Sequence, residues 1–390
     1  MSGAYRKSLE YFSTLPHYTA ERLVTGSTRV KKALLCAWQA NCPASLRPRA
    51  TRWLAITSVI RLIQRFTLAP ENLQELEQAM TVLSRREVER LCAGDTWISN
   101  FLLNLWEYVR GETTLTTYPW NISLPIADIC NARCSFCTSW LDGRHILQIE
   151  QLEAFAPVLR HAALVGLVGH GEPLAHPRFP ELCERLAALL DPRAACYTIT
   201  NGIYLEKWKD HLETLNVESY SISLNAATPE THNEVMGLGP DAFSKIVRSI
   251  GALINLPSRS GRRRQVHISL VVTQQNIHEV SAFVHLGNGL GVTGIWLRTL
   301  LPQGNLVRGL NYHLLPPHLH PRFEEFKREA IDAIRRSKVP VHGYPDTWSH
   351  PIFSPKPRQQ IEESPPQFIT REEALKDSAR RHRLDYLYDP

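Results

Sequence analysis

Between residues 118 and 300, six short apolar runs rich in Val, Ile, Leu and Thr alternate with stretches of helical periodicity. The runs are NISLPIA, ALVGLVG, CYTIT, SYSISL, HISLVVT and TGIWLRTL. The stretches between them are EQLEAFAPVLRH, HPRFPELCERLAALL, YLEKWKDHLETL, DAFSKIVRSIGALI and NIHEVSAFVHLGNGL. Strands that alternate with helices lie parallel, because parallel neighbours require a crossover connection. The pattern predicts an α/β fold, either a barrel or an open doubly wound sheet. In both, chemistry sits on the loops leaving the carboxyl ends of the strands.

The first 115 or so residues have a different rhythm. TRVKKALLCAWQANC, ATRWLAITSVIRLIQRF and NLQELEQAMTVLSRREVERLC place apolar residues three and four apart and predict helices, without a phosphate loop, a repeat or a metal-binding spacing. Beyond about Pro340 the chain turns proline-rich (HPIFSPKPRQQIEESPPQF) and ends in a charged segment. The expected organisation is a helical accessory domain over 1–115, a βα domain over 116–345 and an extended tail over 346–390.

No apolar run approaches the length of a bilayer-crossing helix, so no membrane association is expected. The amino terminus has no uninterrupted apolar stretch after its first positive charges, so a secretory signal is not expected and the reducing cytoplasm is the default compartment. A net charge of +6 over 390 residues is mild. Its two basic clusters, GRRRQ at 261–265 and ARRHR at 379–383, have no interleaved aromatics and read as a solvated loop and a solvated tail. Nucleic acid is not expected as a partner.

Three of the eight cysteines fall within eight residues, in ADICNARCSFCTSW. Cys130, Cys134 and Cys137 form C-x3-C-x2-C directly after the first strand. Thiolates at this spacing on a tight loop can converge on one metal centre, but a structural zinc site wants a fourth ligand and the nearest candidate, His145, lies eight residues on. An iron–sulfur cubane normally takes four cysteines. Three leave one iron open to a small molecule. Cys36, Cys42, Cys92, Cys183 and Cys196 read as buried small hydrophobes. With no cysteine after Cys196, auxiliary clusters are not expected.

These residues resemble the radical S-adenosylmethionine (SAM) enzyme superfamily. The C-x3-C-x2-C loop, with Phe136 before its third cysteine, resembles the family's cluster loop. GHGEPLAHP resembles its Gly-Gly-Glu-Pro segment after the second strand, with His170 in place of the first glycine. TNG after the third strand, SISLNAATPETHNEVMG at the fourth, VTQQNIHE at the fifth and LRTLLPQGN at the sixth follow in the family's order. The resemblance covers residues 116–345 and implies a partial (βα)6 TIM-type barrel, carrying an N-terminal all-helical accessory domain.

It further implies that Cys130, Cys134 and Cys137 hold a 4Fe-4S cluster whose open iron chelates the amino and carboxylate groups of SAM. The loop of His170, Gly171, Glu172 and Pro173 would offer backbone groups to the methionyl amine, with Gly171 allowing close approach and Pro173 stiffening the turn. Asn201, Ser223, Asn225, Thr273 and Arg298 are the remaining implied cofactor contacts. Arg298 suits a carboxylate through bidentate bonding, and a rim salt bridge is its alternative.

The implied reaction is reductive cleavage of SAM to a 5'-deoxyadenosyl radical that abstracts hydrogen from an organic substrate. That substrate is expected to be a ribosomal peptide or other natural-product intermediate. Radical modification of RNA or of a protein is the alternative, and a non-catalytic metal-binding protein of the same fold the least favoured reading. No catalytic side chain is assigned. NLVRGLNYHLLPPHLHP reads as a lid, with Tyr312, His313, His318 and His320 suited to a packed loop or to substrate rather than to a metal. A flavodoxin- or ferredoxin-type electron donor is the expected partner, and Arg262, Arg263 and Arg264 would help dock it.

Overall fold

All six expected strands form, and a seventh joins them. They are β1 Asn121–Leu124, β2 Leu164–Leu167, β3 Ala195–Thr200, β4 Ser219–Ser223, β5 Gln265–Val272, β6 Gly294–Thr299 and the short β7 Val341–His342. The computed structural model describes residues 70–300 and 315–348, apart from 93, 138, 140–143, 259–262, 344 and 346–347, and a few residues between 52 and 60.

Every pairing is parallel, and the spatial order β1-β2-β3-β4-β5-β6-β7 is the order in sequence. An order that never reverses keeps all crossover helices on one face. This settles the choice left open by the strand pattern: the sheet is wound in one direction, as in a barrel, and has no doubly wound switch point. β1 and β7 do not pair, so the barrel is partial.

The crossover helices are α4 Leu152–Leu159, α5 Phe179–Leu189, α6 Pro229–Met236, α7 Ala242–Asn255, α8 Val280–Leu290 and α9 Phe323–Arg336, and α1 to α3, defined below, precede β1. YLEKWKDHLETL is not a regular helix. It gives a 3-10 turn, Ile203–Leu205, and then further turns closed by bonds such as His211 N–H to the Trp208 carbonyl at 2.9 Å. Trp208 is the anchor there: its indole donates to the Leu174 carbonyl at 2.9 Å.

Alternate strand residues face opposite ways, and two glycines show which way is which. A Cβ on Gly287 of α8 would meet Ile295 and Ile268, and one on Gly202 would meet Ile246 of α7 and Ile222. Ile222, Ile268 and Ile295 therefore point at the helices, where the apolar core sits. The residues between them point into the concave face of the sheet. In register across that face run Ser221, His267 and Gly294, then Ser223, Ser269, Trp296 and His342, then Val271 and Arg298.

The stretch NLQELEQAMTVLSRREVERLC forms two helices, α1 Pro70–Val82 and α2 Arg85–Leu91. Ser84 interrupts it as an N-cap whose backbone N–H bonds the Glu87 carboxylate at 2.8 Å. A further helix, α3 Thr96–Arg110, was not among the expected ones, although Asp95 caps its start and Gly111 ends it in the left-handed region. Trp97 of α3 donates to the Ala162 carbonyl at 3.0 Å, and the Asn100 amide bonds both backbone groups of Tyr118. The buried Glu107 carboxylate accepts from the Thr116 and Thr117 hydroxyls and the Thr116 N–H. The core is therefore continuous across residue 115, where the rhythm of the sequence changes.

By its internal contacts the chain divides into one unit ending at Trp348 and a second beginning at Ser349. The helical stretches expected before residue 50, residues 301–314 and the tail from 349 lie outside the described residues. Cys92, Cys183 and Cys196 are free and buried, as expected of small hydrophobes.

Candidate cluster and cofactor site

The cysteine loop is closed at its base. Ala127 bridges antiparallel to Ile146, the Asp128 N–H reaches the His145 carbonyl at 3.0 Å, and the Leu147 N–H reaches that of Ile126 at 2.9 Å. Its middle is docked on the last turn of α6. The N–H of Arg133 donates to the Met236 carbonyl and that of Ser135 to the Val235 carbonyl, both at 2.9 Å. A helix end leaves such carbonyls without internal partners, so the two features satisfy each other. Gly237 then ends α6 in the left-handed region, and a Cβ there would meet the Arg133 Cβ at 3.1 Å.

The three thiols share one neighbourhood, since the acidity of Cys134 responds to both Cys130 and Cys137. Burial pushes the Cys130 thiol up to about 11, and Cys134 is raised further for the same reason. The Cys137 sulfur also receives the Ser139 N–H at 3.5 Å. Such bonds favour thiolate and stabilise cluster ligands. Among the described residues no three His, Cys, Asp or Glu side chains converge closely enough to share one ion. Thiolates that each take a different iron of a cubane need no such convergence. The donor set fits a 4Fe-4S cluster.

The loop after β2 presses directly on the cysteine loop. The Glu172 N–H donates to the Ile129 carbonyl at 2.8 Å, and a Cβ on Gly171 would lie 2.3 Å from the Asp128 carbonyl carbon and 2.4 Å from the Ile129 oxygen. Gly171 is needed for this backbone contact. Next to it the Glu172 carboxylate is buried and accepts from the Thr200 hydroxyl at 2.6 Å, the Asn201 N–H at 2.7 Å and the Leu174 N–H at 3.0 Å. Burial pushes its pKa up to about 7 against the opposing pull of these donors. The Asn201 amide continues the chain to Asn131, between the first two cysteines, at 2.9 Å. The ends of β2 and β3 are thereby tied to the cluster loop.

The remaining expected contacts divide into two groups. His170 is exposed on the turn after β2, Ser223 stands on the concave face, and Arg298 is exposed on the same face of β6 with its guanidinium carbon 5.4 Å from the Trp296 ring centroid. These side chains are exposed or half-buried. Pro173 and the carboxylate of Glu172 are instead buried in the protein.

Asn225 and Thr273 have side chains bonded within the protein. Asn225 holds φ 58°, the one positive value among the described non-glycine residues, and its amide accepts from Val271 N–H at 2.8 Å and donates to the Met236 sulfur at 3.0 Å. Thr273 turns its hydroxyl to Asn276, whose amide donates to the carbonyls of Asn225 and Val271. These side chains shape the strand ends, since their polar atoms are already engaged. Asn131, Met236 and Asn276 were not legible as site residues, because their partners lie 70, 102 and 51 residues away.

Two other expectations change. Arg264 is 1% exposed and donates to the carbonyls of Pro257 and Glu213 and to the Tyr220 hydroxyl, so it cannot meet a donor protein. Its loop enters β5 at the amino end of the strand, while the cysteine loop leaves β1 at the carboxyl end of the sheet. Of the expected lid, Tyr312 and His313 lie outside the described residues, and His320 accepts the Arg322 N–H at 3.0 Å just before α9.

Residues 124–287 match the profile of the Radical SAM superfamily. A "GTP 3',8-cyclase 1" of Pseudomonas aeruginosa is 29% identical over 200 residues, which are 48% of this chain and 56% of that protein. A "Probable GTP 3',8-cyclase" of Saccharolobus islandicus is 28% identical over 190 residues, 47% of this chain and 58% of that one. The chain thus spans little more than half the length of these relatives. The structure of Streptococcus suis SuiB bound to S-adenosylmethionine aligns with a TM-score of 0.47 at 16% identity, over 76% of this chain and 68% of that one. Residues 124–287 are thus similar to the radical SAM superfamily, whose enzymes use a 4Fe-4S cluster and S-adenosylmethionine.

Proposed function

We propose that this enzyme cleaves SAM reductively at a cluster held by Cys130, Cys134 and Cys137, and uses the 5'-deoxyadenosyl group to abstract hydrogen from a small natural-product intermediate. The observation that carries this reading is the cysteine loop itself: three neighbouring thiols on one loop, pinned to the end of α6 by the Arg133 and Ser135 N–H groups. When bound, the cluster supplies the electron that breaks the sulfonium carbon–sulfur bond.

The protein's part is to bind, orient and exclude. The turn at His170 and Gly171, tied to Ile129, presents backbone groups beside the cysteines for the methionyl end of SAM. Ser223 offers a hydroxyl from the concave face. Glu172, Asn201 and Asn131 hold the loops in register, so that the cofactor meets a preset surface. The concave face of β1–β7 is the floor on which the substrate rests.

Of the substrate classes weighed from the sequence, a small molecule has the support of the two cyclase relatives, which by name act on GTP. A flavodoxin- or ferredoxin-type protein supplies the electron, and the free thiols suit a reducing cytoplasm. Anaerobic reconstitution followed by reduction is expected to yield an iron-loaded protein that releases 5'-deoxyadenosine. Cys130→Ala, Cys134→Ala and Cys137→Ala should each lose iron and that product. Retention of both by any one of the three would overturn the reading.

A further inference from the structure

We propose that the concave face of β4 to β7 carries a subsite for a planar aromatic ring bearing a carboxylate or phosphate within a bond or two of the ring, with Trp296 as its wall and Arg298 as its anchor. The proposal deepens the reading above by naming the substrate class of the same site.

Four observations converge on this patch. First, an apolar surface is left in water. Trp296 is 36% exposed and Ile199 is 39% exposed, and both project from the concave face of the sheet. Second, the indole is held in place beforehand. It stacks on His342 of the neighbouring strand at 4.3 Å and 22°, with the His267 ring 6.5 Å away. A pre-oriented aromatic surface loses little entropy when it receives a ring.

Third, two polar atoms lack partners. The Ser221 hydroxyl and His267 Nδ1 sit opposite each other across β4 and β5, shielded from solvent and without a hydrogen bond. Buried polar groups are normally paired, so these two leave unfilled hydrogen-bonding capacity one row toward the amino ends of the strands from Trp296. Fourth, a cation stands ready. Among the described residues no carboxylate lies within ion-pair distance of Arg298, whose guanidinium carbon is 5.4 Å from the Trp296 centroid. His342 covers one face of the indole and the guanidinium lies over the ring. An occupant's ring set against the exposed indole edge would therefore bring a substituent one or two bonds out within reach of that guanidinium, which binds carboxylate and phosphate alike.

The test is equilibrium binding to the full chain with no reductant present. The probes are quinoline-2-carboxylate and phenyl phosphate, with quinoline and cyclohexanecarboxylate as controls. At least one of the anionic rings should bind about tenfold or more tightly than either control, the usual worth of one charge-assisted hydrogen bond. The better of the two identifies the anion. Arg298→Gln and Trp296→Leu should each weaken that probe about tenfold, and Trp296→Phe, which keeps a ring, should restore most of the loss.

Equal binding of all four compounds, or affinity unchanged by Arg298→Gln, would overturn the subsite. So would displacement of the probe by saturating SAM, since the patch would then belong to the cofactor. A protein that binds the probe but releases no 5'-deoxyadenosine after reconstitution would refute the proposed function and leave the subsite standing. The reverse result would do the opposite.

Discussion

Gly171→Ala is the sharpest test of how the cluster loop is held. The glycine is not in the left-handed region, so an alanine there carries no backbone strain and the cost is purely one of space. Its Cβ would stand 2.3 Å from the Asp128 carbonyl carbon, where ordinary contact begins at 3.4 Å. The neighbours are backbone atoms, which cannot rotate away as a side-chain tip can. The two loops must therefore separate by about 1 Å, which stretches the Glu172 N–H to Ile129 bond, 2.8 Å in the native loop, beyond hydrogen-bonding range. Overpacking of about 1–3 kcal/mol and a lost bond of about 1 kcal/mol give a destabilisation of about 2–4 kcal/mol. Urea unfolding of the apoprotein measures it, and iron per chain after reconstitution should fall in parallel. Gly251→Ala in α7, where a Cβ would meet nothing within 4 Å, is the control and should be neutral or stabilising by up to about 1 kcal/mol. If Gly171→Ala unfolds at the wild-type midpoint and loads iron normally, the close packing of the two loops does not hold the site.

Two further outcomes follow from buried groups. Burial lowers the His232 pKa to about 4 from its usual 6.5, and neither ring nitrogen has a partner. The unfolded chain takes up this proton below about 6.5 and the folded chain only near 4, so stability should be full above pH 6.5 and fall by about 3 kcal/mol as the pH drops through that window. His232→Leu should flatten the urea midpoints measured between pH 7 and 4.5; an unchanged slope would place the titration elsewhere. Arg263 is exposed and Arg264 is buried among carbonyls, so Arg263→Glu should leave the rate of cluster reduction unchanged, whereas Arg264→Glu should unfold the protein more easily by about 3 kcal/mol or more. A reduction rate that falls with Arg263→Glu in a normally stable protein would return that loop to the electron path.

The legible part of the fold was carried by local periodicity. An apolar run such as HISLVVT reads as a strand because its residues contact neighbours in any parallel sheet, and β5 forms there. The stretch YLEKWKDHLETL reads as a helix by the same logic, yet the Trp208 indole, fixed to the Leu174 carbonyl 34 residues away, anchors a run of turns. The cysteine spacing was visible because cluster ligands on one loop are close in sequence. Its supports were not, since Met236 approaches the loop from the end of α6 and Gly171 from the loop after β2.

The amino-acid sequence by itself determined that strands and helices alternate and that three thiols share one loop, since both depend on spacings of two to eight residues. Only the tertiary structure decided which strand faces look inward. Parallel register set Ser223, Ser269, Trp296 and His342 in one row across four strands, and the packing of one loop on another made Gly171 a matter of space. Register and close approach are properties of pairs of segments distant in the chain, and no local pattern encodes them.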